Sequence, residues 1–199
     1  MEDDKAGALK RCWTALRKPS AKYSLVGLLG AGFIAGIIFW GGFNTALEAT
    51  NTLEFCTTCH EMRDNVYQEY KETIHYSNRT GVRAICSDCH VPKDWTHKMI
   101  RKSKAAFEVW GKITGSIDTK EKFEAKRMIL ATHEWDRMKE SGSRECRNCH
   151  NFEAMSPELQ KQTPYRKHMK AKDEGKTCID CHKGIAHHLP KEYEEPEDE

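Results

Sequence analysis

One stretch of this chain carries no charge. From Tyr23 to Phe43 it reads YSLVGLLGAGFIAGIIFWGGF, close to the roughly 20 apolar residues a helix needs to cross a bilayer. Further on, apolar positions recur at helical spacing in charged surroundings. Trp95, Met99, Ile100, Phe107, Trp110 and Ile113 alternate with Lys93, Lys98, Arg101, Lys102, Lys104 and Lys112. This predicts a basic helix with two Trp, either lying at a membrane surface or exposing a solvated face. A second, more polar helix is predicted from Thr119 to Lys139. The end of the chain, 191–199, is mostly acidic and reads as a disordered tail.

Charge gives the uncharged stretch a direction. Lys5, Lys10, Arg11, Arg17, Lys18 and Lys22 precede it, and positive charge stays on the cytoplasmic side. The expected organisation is a cytoplasmic segment 1–22, a single transmembrane signal-anchor helix 23–43, a periplasmic domain 44–190 and the tail 191–199. No clean Ala-x-Ala cleavage site follows the stretch, so it is read as uncleaved. Gly32 and Gly36 form a GxxxG, which leaves a homodimer open. General glycine enrichment in membrane helices explains the same pair.

The chemistry lies in the cysteines. Four Cys-x-x-Cys-His motifs are present: Cys56, Cys59 and His60; Cys86, Cys89 and His90; Cys146, Cys149 and His150; Cys178, Cys181 and His182. Each has the form of a c-type haem attachment site. Two thiols at this spacing add to the vinyl groups of one porphyrin, and the next residue, His, binds the iron from the proximal side. Paired Cys-x-x-Cys motifs also build zinc ribbons, but zinc does not ask for a His after every second Cys. Four covalent haems make an electron carrier. Cys12, the one cysteine of nine outside the motifs, would lie in the reducing cytoplasm, where a free thiol is ordinary.

The composition agrees. With 199 residues, 31% of them charged, and a net charge of +2, little apolar material is left for a core once anchor and tail are set aside. Porphyrins would supply it. Haem propionates would make the holoprotein more acidic than its sequence, and nothing argues for nucleic acid. The expected fold is mainly α: one transmembrane helix, then a small multihaem domain of two two-haem modules.

The modules are read from an internal repeat. Motifs one and two stand about as far apart as three and four. Asp88 and Asp180 both precede the second Cys of a second motif, and His75 and His168 both lie a little upstream of one. His97 and His187 follow them. A second His on an iron gives a six-coordinate, low-potential haem, a Met raises the potential, and an open site admits substrate. His75, His168 and His187 are the expected distal ligands; His188 faces differently from its neighbour His187. For the remaining haem the candidates are Met62, His97 and His133, or a weak or vacant sixth position.

The chain resembles the NapC/NirT family of membrane-anchored tetrahaem quinol dehydrogenases, from about Leu16 to Pro190. The resemblance rests on LRKPSAKYSL, WGGFNTALEATNTLEFCTTCHEM, EYKETIHYSNRTGVRAICSDCHVP, EKFEAKR, ECRNCHN and KTCIDCHKGIAHHLP, and is strongest to the branch serving periplasmic nitrate reductase. It implies oxidation of menaquinol or ubiquinol beside the first haem, at the periplasmic face of the bacterial inner membrane. Electrons would then leave for a periplasmic reductase, a dihaem subunit plus a molybdenum enzyme. It also implies a quinol pocket with one acidic and one basic residue after the second motif, which here look like Glu108 and one of Lys98, Arg101 or Lys102. Two features mark branches within the family. The His60–Met62 pattern matches the nitrite-reductase branch, and the sequence stops short of the extra haem domain found in relatives serving trimethylamine N-oxide reductase.

Overall fold

The computed structural model describes Gly7, Lys10, Arg11, Trp13, Thr14 and residues 22–194. The expectations for Cys12, for most of 1–22 and for 195–199 lie outside the described residues. The chain divides into two compact units, Met1–Glu48 and Ala49–Glu199. All regular structure among the described residues is helical.

The first unit is dominated by helix α1, Leu25–Ala49. Ser24 starts it: its hydroxyl accepts the Gly27 N–H at 3.1 Å, satisfying a donor that the first turn leaves without an intrahelical partner. The helix runs beyond Phe43, where the charge-free stretch ends. Asn44 turns its side-chain amide back to the Trp40 carbonyl at 2.8 Å, and Glu48 is taken into the last turn. No residue of α1 is buried in the protein, and the helix is long and apolar enough to cross a membrane.

The second unit strings short helices between two long ones. Helix α2 covers Leu53–Cys56, a widened π turn covers Met62–Val66, α3 covers Tyr67–Tyr70 and α4 covers Cys86–His90. The long helices are α5, Trp95–Ile113, and α6, Lys120–Glu140. Then come α7, Arg144–Arg147, a 3-10 turn at Phe152–Ala154, α8, Gln162–Asp173, and α9, Cys178–Cys181. The predicted basic and polar helices are α5 and α6. Each opens on a side-chain cap: Asp94 accepts the His97 N–H at 3.0 Å and Thr119 accepts the Lys122 N–H at 3.3 Å.

Little of this unit is held by apolar packing. Tyr70, Phe123, Met138 and Ile179, with Pro92 and Pro190, are the buried apolar side chains among the described residues. Polar clamps connect the segments instead. Arg127 donates to both Glu69 oxygens at 2.8 and 2.6 Å and to the His188 carbonyl at 2.8 Å, and Glu69 accepts the His188 N–H at 2.8 Å. Ser143, fully buried with a left-handed φ of 53°, follows Gly142 out of α6 and accepts the Ile179 N–H at 3.2 Å. That bond ties the approach to the third motif to the fourth.

Candidate haem site

Every attachment motif begins in or beside a one-turn helix, which sets the two sulfurs on one side. In the second and fourth motifs the Asp before the second Cys caps that turn. Asp88 accepts the Ile85 N–H at 2.9 Å; Asp180 accepts the Thr177 N–H at 2.8 Å and the Thr177 hydroxyl at 2.9 Å. The repeated Asp in the sequence is a helix-start device.

The motifs follow one another in space. Cys56 and Cys86 lie close enough for their thiols to perturb each other, and α2 packs on α4. Helix α4 packs on α7, bringing Cys89 within electrostatic reach of Cys146 and Cys149. Cys146 in turn lies near Cys178. The order in space is the order in sequence, from the first motif to the fourth.

Six histidines meet in three facing pairs. His75 and His150 have ring centres 6.3 Å apart, His90 and His187 6.1 Å, and His168 and His182 5.9 Å. A metal sits about 2.0–2.1 Å from an imidazole nitrogen, so two rings facing across one metal have centres about 6 Å apart. Each pair joins the His of one attachment motif to one of the three expected distal histidines. Burial, with the nearby His90, pushes the His187 imidazole down to about 4, and burial beside His168 lowers His182 as well. Both are neutral near pH 7, the form a metal needs. The Nδ1 of His75 is buried with no hydrogen-bond partner among the described residues. The eight motif cysteines form no disulfide, and no group of three or more His, Cys, Asp or Glu among the described residues is arranged to hold a bare metal ion. These residues fit haem.

The pairing crosses the repeat. His168 serves the fourth motif within its own half. His75, from the first half, faces the third motif, and His187, from the end of the chain, faces the second. His60 is left outside the pairs. Its ring is exposed and lies 3.3 Å from Glu61, a buried carboxylate that pairs with Lys112 at 2.8 Å. Met62 is 40% exposed and opens the π turn beside His60. His97 is occupied by Asp94, at 2.6 Å.

The quinol-pocket candidates all lie on α5. Arg101 and Glu108 pair with each other at 2.8 Å; the arginine is mostly covered and the carboxylate is exposed. Lys102 reaches the Thr50 hydroxyl at 2.6 Å, and Lys98 is half-buried one turn earlier. Around them Phe107, Val109, Trp110 and Ile113 are exposed.

Sequence reasoning missed Glu134. It lies on α6 and accepts from the His90 Nδ1 at 2.8 Å, while Arg137 holds it at 2.6 and 3.0 Å. Burial would raise this carboxyl; the His90 ring and the Arg137 guanidinium outweigh burial and hold it at about 2. In the sequence Glu134 is one charge among many in a polar helix, and no spacing rule connects it to His90.

The attachment motifs, the three imidazole pairs and the thin apolar core define a multihaem cytochrome c with one N-terminal helix fit to anchor it. The chain belongs to the NapC/NirT cytochrome c family, whose N-terminal-region model matches residues 18–192. It is 65% identical over 184 residues to the denitrification system component NirT of Stutzerimonas stutzeri, covering 92% of both chains. It is 57% identical over 188 residues to the cytochrome c-type protein NapC of Escherichia coli K12, covering 94% of both. With the NapC of Paracoccus pantotrophus it shares 59% over 179 residues, 89% of this chain and 76% of that one. No solved structure matches.

Proposed function

We propose that this protein is a membrane-anchored quinol dehydrogenase, feeding electrons from menaquinol or ubiquinol through four c-type haems to a periplasmic reductase, foremost the nitrate reductase. The three imidazole pairs near 6 Å carry the reading. Together with four motifs in spatial succession they support a relay rather than an isolated redox site. The haems supply one-electron redox chemistry. His60, His90, His150 and His182 would hold the haem irons from the attachment motifs, and His75, His187 and His168 would complete the third, second and fourth sites. Met62 is the candidate for the first, which stands apart as the site without a facing imidazole.

A quinol gives up two protons with its two electrons. Glu108 accepts a proton, and Arg101, its partner at 2.8 Å, stabilises the quinone oxygen as charge develops. Lys98 and Lys102 add positive charge on the same helix. The exposed aromatic and aliphatic side chains of α5 support a helix that rests on lipid. The N-terminal anchor is inserted with its start in the cytoplasm, leaving the haem domain in the periplasm. Electrons leave past the fourth motif, next to α8, where Lys161, Arg166, Lys167 and Lys172 are exposed and have no ion-pair partner among the described residues. A basic exit favours an acidic acceptor.

A second reading keeps the quinol chemistry and changes the acceptor. The 65% identity to a denitrification system component favours a denitrification reductase such as nitrite reductase in that role.

The test is reduction of the protein in liposomes by a menaquinol analogue, followed in the haem bands with and without a quinone-site inhibitor. Rapid, inhibitor-sensitive reduction is expected, slowed in Glu108→Gln with haem content unchanged. If dithionite reduces the haems and quinol does not, the protein is a relay fed by another protein. Normal turnover in Glu108→Gln removes that residue from the mechanism.

A further inference from the structure

Of the six imidazoles in the three facing pairs, His90 alone has a carboxylate on its outer nitrogen among the described residues. Glu134 Oε1 lies 2.8 Å from His90 Nδ1. The corresponding atom of His168 faces the neutral Gln160 Oε1 at 3.2 Å, and that of His75 has no partner. Arg137 grips Glu134 through two bonds, at 3.0 and 2.6 Å. It also donates to the Cys89 carbonyl at 3.1 Å, inside the second motif itself. Carboxylate, guanidinium and motif backbone therefore form one bracket around His90, carried on α6. The same helix supplies Arg127, whose clamp on Glu69 and the His188 carbonyl fixes the residue after His187. Helix α6 thus holds the His90 ring directly, while the Nδ1 of His187 is buried with no hydrogen-bond partner among the described residues.

We propose that Glu134 is a positioning residue that lowers the reduction potential of the haem held by His90 and His187, acting through the Nδ1–H of His90. The proposal rests on the haem-ligand reading above. A ligand imidazole that donates its second N–H to an anion is a stronger electron donor, and a stronger donor favours the ferric over the ferrous state of the one-electron couple. The negative charge of the carboxylate acts in the same direction, because the ferric site carries one more positive charge. Arg137 opposes this in part, so the set point of the site is the balance between the two side chains.

The experiment is a spectroscopic redox titration of the full-length holoprotein, fitted to four one-electron components. In Glu134→Gln one component moves to higher potential by about tenfold in its reduction equilibrium, about 59 mV for one electron, and three stay in place. Arg137→Gln moves the same component the other way. Loosening of the site alone would shift both variants in the same direction, and that result overturns the proposal, as do four unmoved potentials in Glu134→Gln. His187→Met identifies the component: Met ligation raises it further, and Glu134→Gln must act on that one. If His187→Met moves no component, the ligand assignment itself has failed, whatever Glu134 does. Covalent haem content and the low-spin bands are read alongside and stay unchanged in Glu134→Gln.

Discussion

The two motif-bearing halves, residues 53–97 and 144–188, start their second motifs in the same way and complete them differently. Asp88 and Asp180 cap equivalent turns, at 2.9 and 2.8 Å. Upstream, His75 stands in an irregular segment while His168 stands on α8. The helical one stays at home and faces His182; the other reaches across to His150. The second motif then takes its facing imidazole from His187. A local element can hold a ligand over its own motif, whereas an irregular one goes where tertiary packing leads it. Each half thus depends on the other for one imidazole, only the fourth motif is completed within its own half, and the first half also contains the site with no facing imidazole, His60.

The strongest break in this comparison comes from removing a haem at the crossing. Cys146→Ala with Cys149→Ala should lower the haem-to-protein ratio by one and release His75, so that hydrogen exchange speeds up around 71–84 in the other half. The matching change at Cys178 and Cys181 should leave that segment protected. Equal responses would mean that the halves are independent.

Next in size is the clamp that fixes the end of the chain to the first half. Arg127→Ala leaves the half-buried Glu69 without its cation and should destabilise the domain by roughly 2 kcal/mol, below the range for breaking a fully buried pair, read as a lower Tm. The second half, with its ligand on its own helix, should keep the His168–His182 spectroscopic signature.

The same clamp makes the domain acid-sensitive. Burial would raise the Glu69 carboxyl, but Arg127 and the His188 N–H hold it below its ordinary value of 4.5. Its contribution is therefore complete above about pH 4.5 and is lost as pH falls through the lowered value. Glu69→Gln should make the acid limb of the stability curve shallower, with the rest of the slope coming from other lowered carboxyls such as Glu134.

The smallest effects separate the two caps. Asp88→Ala and Asp180→Ala should each cost about 1 kcal/mol. The second should cost more, because Asp180 also accepts from Lys139 at 2.8 Å and so joins α9 to α6. Identical losses would show that this link adds nothing.

Sequence and structure divide along similar lines. The motifs, the three histidines that pair with motif histidines and the long helices are legible, since an attachment motif has a fixed spacing and a helix declares its period. Even the repeat of Asp88 and Asp180 is legible, though its reason, a capped turn, is not. The partner of each imidazole is not legible: equal distances along the chain from His75 and His168 to their motifs end in different placements. Glu134 and the Arg127 clamp are hidden for the same cause, as contacts between distant segments leave no local pattern.

A chain is made from its first residue to its last. His90 is synthesised well before His187, so on the ligand assignment proposed above the second haem would wait for its second imidazole, whereas His75 is already made when the third motif appears. The pairs at the third and fourth motifs are complete as soon as each motif is made. What began as a repeat has become a single object that cannot be finished in halves. On that assignment, a fragment ending before residue 187 should keep its second haem covalently attached yet five-coordinate, and binding of an added small ligand such as carbon monoxide would reveal it.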